Sequence, residues 1–160
     1  MGLIVKYIKY SFFIFAIISV SSYTMSEQKS VGFQVKVQII ETCDIATGST
    51  ANIDFGTVSR KTKDVQSTGI LNISCTTGTP YFISLNGDGI LENIQNPSLT
   101  IPYKLYQDAS LNREWGSSSE SNFSQNGNGK MQSITIWGKI PDTNIPAGEY
   151  MDQVTATVTY

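Results

Sequence analysis

From residue 33 onward the chain places apolar side chains at every second position in short runs, and no window of it carries a helical period. Successive side chains of a strand point to opposite faces, so such a run buries one face and wets the other. Phe33, Val35, Val37 and Ile39 alternate with Gln34, Lys36 and Gln38. Further strand signals fall at residues 53–56, 70–75, 81–85, 103–106, 113–116, 133–140 and 150–160. Turn residues separate them: Thr77-Gly78-Thr79-Pro80, Asn86-Gly87-Asp88-Gly89, a polar Ser/Asn/Gly stretch over 117–130, and a loop over 141–148 with Pro141, Pro146 and Gly148. This pattern predicts an all-β domain, a β-sandwich of immunoglobulin-like type, with a small barrel as the alternative.

The N-terminus follows another rule. Lys6 and Lys9 lead into an apolar run over residues 10–20, and Ser19, Ser21 and Ser22 supply the small residues of a cleavage site. Residues 1–22 therefore read as a cleaved secretory signal peptide. The run is too short for the roughly 20 residues that span a bilayer, so an uncleaved membrane anchor is the weaker alternative. The expected fate is export across a bacterial inner membrane. Export gives Cys43 and Cys75, the only two cysteines in the chain, a meaning. In an oxidising compartment they are expected to form a disulfide, with a pair of free thiols as the alternative.

Composition excludes several kinds of chemistry. No histidine occurs, which removes Ser-His-Asp and Cys-His nucleophiles and imidazole acid–base catalysis. From Tyr23 onward there are 9 Lys and Arg against 13 Asp and Glu, with no basic cluster to neutralise a nucleic acid backbone. Asn86-Gly87-Asp88-Gly89 lacks the further acidic ligands that calcium needs and reads as a turn. Asp54 and Asp64 have no accompanying cleft signal for glycosidase chemistry. Trp115 and Trp137 are candidates for stacking on sugars, although a core role is the plainer reading. No enzyme activity and no cofactor or metal is expected; a structural protein is.

Two strands carry the functional expectation. Residues 152–160 hold no charge after Asp152 and no proline, whereas exposed sheet edges are normally blunted by one or the other. Val154, Ala156, Val158 and Tyr160 face one way, so this strand looks suited to pairing with another segment. At the other end, Phe33, Val35, Val37 and Ile39 follow about ten polar residues. Inserted into a groove of another subunit, these four side chains would contribute on the order of 6–12 kcal/mol as an upper bound. Such insertion is strand addition, of which donor-strand complementation between chaperones and pilins is a known case. Alternation serves equally well for a first strand of the chain's own sandwich, and both readings stand.

The ordered residues resemble a known family. Cys43, Ile53-Asp54-Phe55-Gly56, Ile73-Ser74-Cys75-Thr76-Thr77-Gly78-Thr79-Pro80-Tyr81 and Tyr103-Lys104-Leu105-Tyr106-Gln107-Asp108 are similar to the spore coat protein U domain of secreted pilins. Trp115-Gly116, Ile136-Trp137-Gly138-Lys139-Ile140-Pro141, Pro146-Ala147-Gly148-Glu149-Tyr150 and the close at Tyr160 continue the likeness. The resemblance implies a subunit of an archaic, Csu-type chaperone–usher pilus used in adhesion and biofilm formation. It implies an incomplete immunoglobulin-like sandwich completed by a donor strand, with Cys43 and Cys75 as its disulfide. A periplasmic chaperone first lends the strand, and the N-terminal extension of another subunit then replaces it at an outer-membrane usher. On that implication residues 23–40 are the extension, with Phe33, Val35, Val37 and Ile39 as donor strand. Residues 41–160 are the pilin domain, with Val154, Ala156, Val158 and Tyr160 at the acceptor edge and chaperone-binding end. The protein would pass through the periplasm to the cell surface. A monomeric secreted sugar-binding sandwich and a spore-coat structural protein are the alternatives.

Overall fold

The computed structural model describes residue 22, residues 25–46 and residues 52–160; the signal-peptide reading otherwise lies outside the described residues. The chain divides into two units, residues 1–37 and 38–160. In the first, residues 25–37 hold neither helix nor strand and are exposed throughout. The second is all-β. Its strands are β1 (Cys43–Ala46), β2 (Lys63–Cys75), β3 (Pro80–Asn86), β4 (Ile90–Asn93), β5 (Thr100–Pro102), β6 (Lys104–Tyr106), β7 (Phe123–Asn126), β8 (Met131–Asp142), β9 (Tyr150–Met151) and β10 (Thr155–Thr159).

These strands form three antiparallel sheets in the orders β1-β2-β8-β6, β10-β3-β7 and β5-β4-β9. Period-two burial sets which face is which. Along β2, Leu71, Ile73 and Cys75 are buried while Thr68 and Ile70 are exposed; along β8, Ile134, Ile136 and Ile140 point inward. Tyr81, Ile83 and Leu85 of β3 supply the core from the second sheet. Trp115 joins this core at 3 % exposure, its indole N–H donating to the Ile83 carbonyl at 2.9 Å. A buried indole with its one donor satisfied keeps its large apolar area at no polar cost.

Cys43 lies directly opposite Cys75 in the β1–β2 register, and the two form a disulfide. A four-residue edge strand has few ladder bonds of its own, so this covalent tie fixes its register.

Five expectations change. Residues 113–116 form no strand: a single bridge joins Glu114 to Tyr106, and Trp115 turns into the core. Residues 33–39 form no strand, and Phe33, Val35, Val37 and Ile39 are 81–88 % exposed. Residues 53–56 form none either, because the Asp54 carboxylate accepts the Gly56 N–H at 2.7 Å and Gly56 sits at φ +71°, a turn that ends the extended run. The polar stretch 117–130 contains β7, drawn onto β3 by Phe123, whose ring lies 5.3 Å from that of Trp115. The last strand, read as continuous over 150–160, divides: β9 pairs with β4 and β10 with β3. At the division the Asp152 carboxylate accepts the Gln153 N–H at 2.7 Å and the Tyr103 hydroxyl at 2.6 Å, which holds the chain at the crossing between sheets.

Two stability changes follow from these ties. Closing the loop between Cys43 and Cys75 stabilises the fold by roughly 3.7 kcal/mol on the chain-entropy account, so Cys43→Ser with Cys75→Ser is expected to lower the unfolding free energy by about that much in urea melts. Burial first, then the Asp152 hydrogen bond and the charges of Asp152 and Asp88, push the Tyr103 phenol well above its ordinary ionisation. A raised folded-state pKa means its stability is intact below about pH 10 and is lost as pH climbs past that value. Tyr103→Phe is expected to cost about 1.5–3 kcal/mol at neutral pH and to flatten the alkaline loss of stability seen in the parent.

Candidate functional site

A groove of about 1120 Å³ opens into the sandwich. Its floor is core: Leu71, Leu85, Ile101, Ile136 and Ile140. One wall is Val154 and Ala156, at and just before β10; the other is the run from Asn52 to Arg60. Protein interiors hold few voids larger than a water molecule, so an apolar-floored opening of this size stands apart from ordinary core packing.

The second wall is held without a strand ladder. Phe55 and Ile53 pack against β8 at Gly138, where an added Cβ would lie 2.9 Å from Phe55 Cζ and 3.0 Å from Ile53 Cγ2. Only glycine lets the two side chains come this close to the sheet. The Ser67 hydroxyl donates to the Asp54 carbonyl at 2.5 Å, tying the run to β2. Ile53 and Phe55 are thereby half-buried against the core.

The first wall ends at an open edge. β10 bonds β3 through five register pairs, from Thr155 with Asn86 to Thr159 with Phe82, and no other strand among the described residues bonds its far side. Val154, Ala156 and Val158 are half-buried against the core, whereas Tyr160 is 57 % exposed. Thr155, Thr157 and Thr159 face outward. The edge carries no charge or proline, so nothing chemical discourages a further strand from pairing there.

Phe33, Val35, Val37 and Ile39 are exposed, and Val31, at 88 % exposure, continues their alternation by one more step. The sequence reading began this run at Phe33 and missed Val31, although the spacing of two already included it. Five apolar side chains in one alternating run stand in water. The two tryptophans part company: Trp115 is core, while Trp137, on β8, is half-buried on the outer face of its sheet. The Asn86-Gly87-Asp88-Gly89 segment is the link between β3 and β4, with Gly89 at φ +70°.

The chain is similar to known proteins in sequence and in fold. The family model for the Spore Coat Protein U domain matches residues 30–157. Protein U of Myxococcus xanthus is 29 % identical over 139 residues, covering 74 % of this chain and 77 % of that protein. Among solved structures, the fold is similar to a chain of the CsuC–CsuE chaperone–tip adhesion subunit pre-assembly complex from archaic chaperone–usher Csu pili of Acinetobacter baumannii. The TM-score there is 0.54 at 23 % identity, over 76 % of this chain, which spans about 40 % of that one. The CooA pilin subunit of enterotoxigenic Escherichia coli aligns at TM-score 0.47 and 13 % identity, over 74 % of this chain and 86 % of its own. With its matched region running from ahead of the exposed apolar run to within β10, this chain belongs to the Spore Coat Protein U domain family.

Proposed function

We propose that this protein is a structural subunit of a surface pilus built by donor-strand exchange in a chaperone–usher pathway. One observation carries the reading. The chain has an apolar-floored groove beside the unpaired edge of β10, and also an exposed, alternating apolar run of about the kind such a groove would accept. The donor is Val31, Phe33, Val35, Val37 and Ile39; the acceptor is the edge formed by Val154, Ala156, Val158 and Tyr160. Each donor side chain moved from water into the groove would contribute about 1.5–3 kcal/mol, and each new ladder bond roughly 0.5–1.5 kcal/mol. The bare groove is costly in water, so a periplasmic chaperone is the partner that covers it first, and an outer-membrane usher is where another subunit's strand takes over. Membership of the family and the fold shared with a Csu complex chain support this assignment. The protein then travels from the periplasm to the cell surface, where the fibre serves adhesion and biofilm formation.

The test compares the exported chain with a form lacking residues 23–40, by size exclusion and by gel electrophoresis in detergent without boiling. The expected result is a ladder of stable multimers that disappears on truncation, leaving a domain that still binds its chaperone. A full-length monomer that unfolds on truncation would instead make residues 31–39 a strand of the domain itself, and the proposal would fall.

A further inference from the structure

The outer face of the β1-β2-β8-β6 sheet carries a feature that strand exchange does not use. Leu105 of β6 and Gly138 of β8 pair and are buried, so their neighbours in the register, Tyr106 with Trp137 and Lys104 with Lys139, point away from the core. Trp137 also pairs with Thr68 on β2, and Tyr106 bridges to Glu114. Thr68, Trp137, Tyr106 and Glu114 therefore stand in one row across the sheet, spanning about 14 Å at the usual strand spacing. The next row is Gln66, Lys139 and Lys104.

The charges in this face are neutralised locally. Lys104 Nζ lies 2.8 Å from Glu114 Oε2, and Lys139 Nζ lies 2.7 Å from Asp64 Oδ1. Asp64 reaches Lys139 from a backbone at φ +52°, a left-handed conformation that residues other than glycine seldom adopt. The Asp64 hydrogen bond, then its charge, hold Lys139 protonated above its usual range, and Glu114 does the same for Lys104. What the face offers is two half-buried aromatic side chains at paired register positions, with hydroxyl and amide side chains in the same and the next row and both flanking ammonium groups held in ion pairs.

That combination selects its ligand. An anion would find both ammonium groups already paired, and an apolar surface would have to strip water from two ion pairs, a cost it cannot return. A neutral polyol does neither. The C–H face of a pyranose sits on the electron-rich face of an aromatic ring, while its hydroxyls bond to the flanking side chains. From this geometry we infer that Trp137 and Tyr106, with Thr68, Gln66, Lys104, Lys139 and their carboxylate partners, form a shallow binding platform for a neutral pyranose oligosaccharide. The platform faces away from the groove, so it operates whether or not strand exchange is correct.

Trp115 and Trp137 are the only tryptophans, and Trp115 is sealed in the core, so ligand-dependent change in indole emission reports Trp137. The full exported chain is titrated with cellohexaose, maltohexaose and chitohexaose, and with hexagalacturonate as a charged control. A saturable emission change with at least one neutral sugar is expected, strong in the parent and smaller with the control. Tyr106→Ala is expected to weaken that binding about tenfold, the upper range for one aromatic contact, with the melting temperature unchanged. Trp137→Ala is expected to abolish both the emission change and the binding seen by calorimetry, and Trp137→Phe to restore part of the calorimetric signal. A response to no neutral sugar, a response to hexagalacturonate alone, or calorimetric binding unaltered in Trp137→Ala would each overturn the inference.

Discussion

A β-sandwich is stable when both apolar inner faces are covered, and in this chain the cover stops one strand short beside β10. Leu71, Ile136 and Ile140 belong to a core that is otherwise sealed, yet they also line an opening of about 1120 Å³. Water there gains nothing from the apolar floor, and among the described residues the far edge of β10 has no strand to pair its ladder groups. Everything else around the groove sets its walls. The disulfide pins β1 to β2, Gly138 admits Phe55 and Ile53 to one rim, and the Tyr103–Asp152 hydrogen bond stations the chain where it passes from β9 to β10.

These ties explain why an incomplete sandwich keeps its shape. The sheet holding β2 and β8 is joined along eleven register pairs, from Lys63 with Asp142 to Ser74 with Met131, and supplies Leu71, Ile73, Ile134, Ile136 and Ile140 to the core. Rigidity of the acceptor matters for strand addition, because a groove that collapsed would bury its own floor and lose the driving force for insertion. The exposed run from Val31 to Ile39 has the complementary property: its side chains lose water only when something else receives them.

Much of this was legible in the residues. Alternation located β2, β3 and β8, since a core strand with one wet face writes period two directly into its sequence, while β6 was marked by its tyrosines and leucine. Cys43 and Cys75 gave the disulfide because there was no third cysteine to choose. Shorter elements were hidden. β4 and β5 hold four and three residues, too few to show a period, and β7 is polar apart from Phe123, whose contact with Trp115 comes from far along the chain. The break at Asp152 was invisible for a similar reason: it depends on Tyr103, 49 positions earlier. Residues 33–39 show the limit most clearly. Their pattern says that one face seeks cover and is silent on which chain provides it.

Strand exchange as proposed requires the far edge of β10 to be open in the lone subunit and to close on an added strand. Hydrogen exchange over residues 155–159, with and without a synthetic peptide of residues 30–41, measures this directly. Amides of β10 whose N–H groups face away from β3 are expected to exchange quickly in the subunit alone and to become strongly protected with the peptide. Full protection before any peptide is added, or no change after saturation, would contradict it.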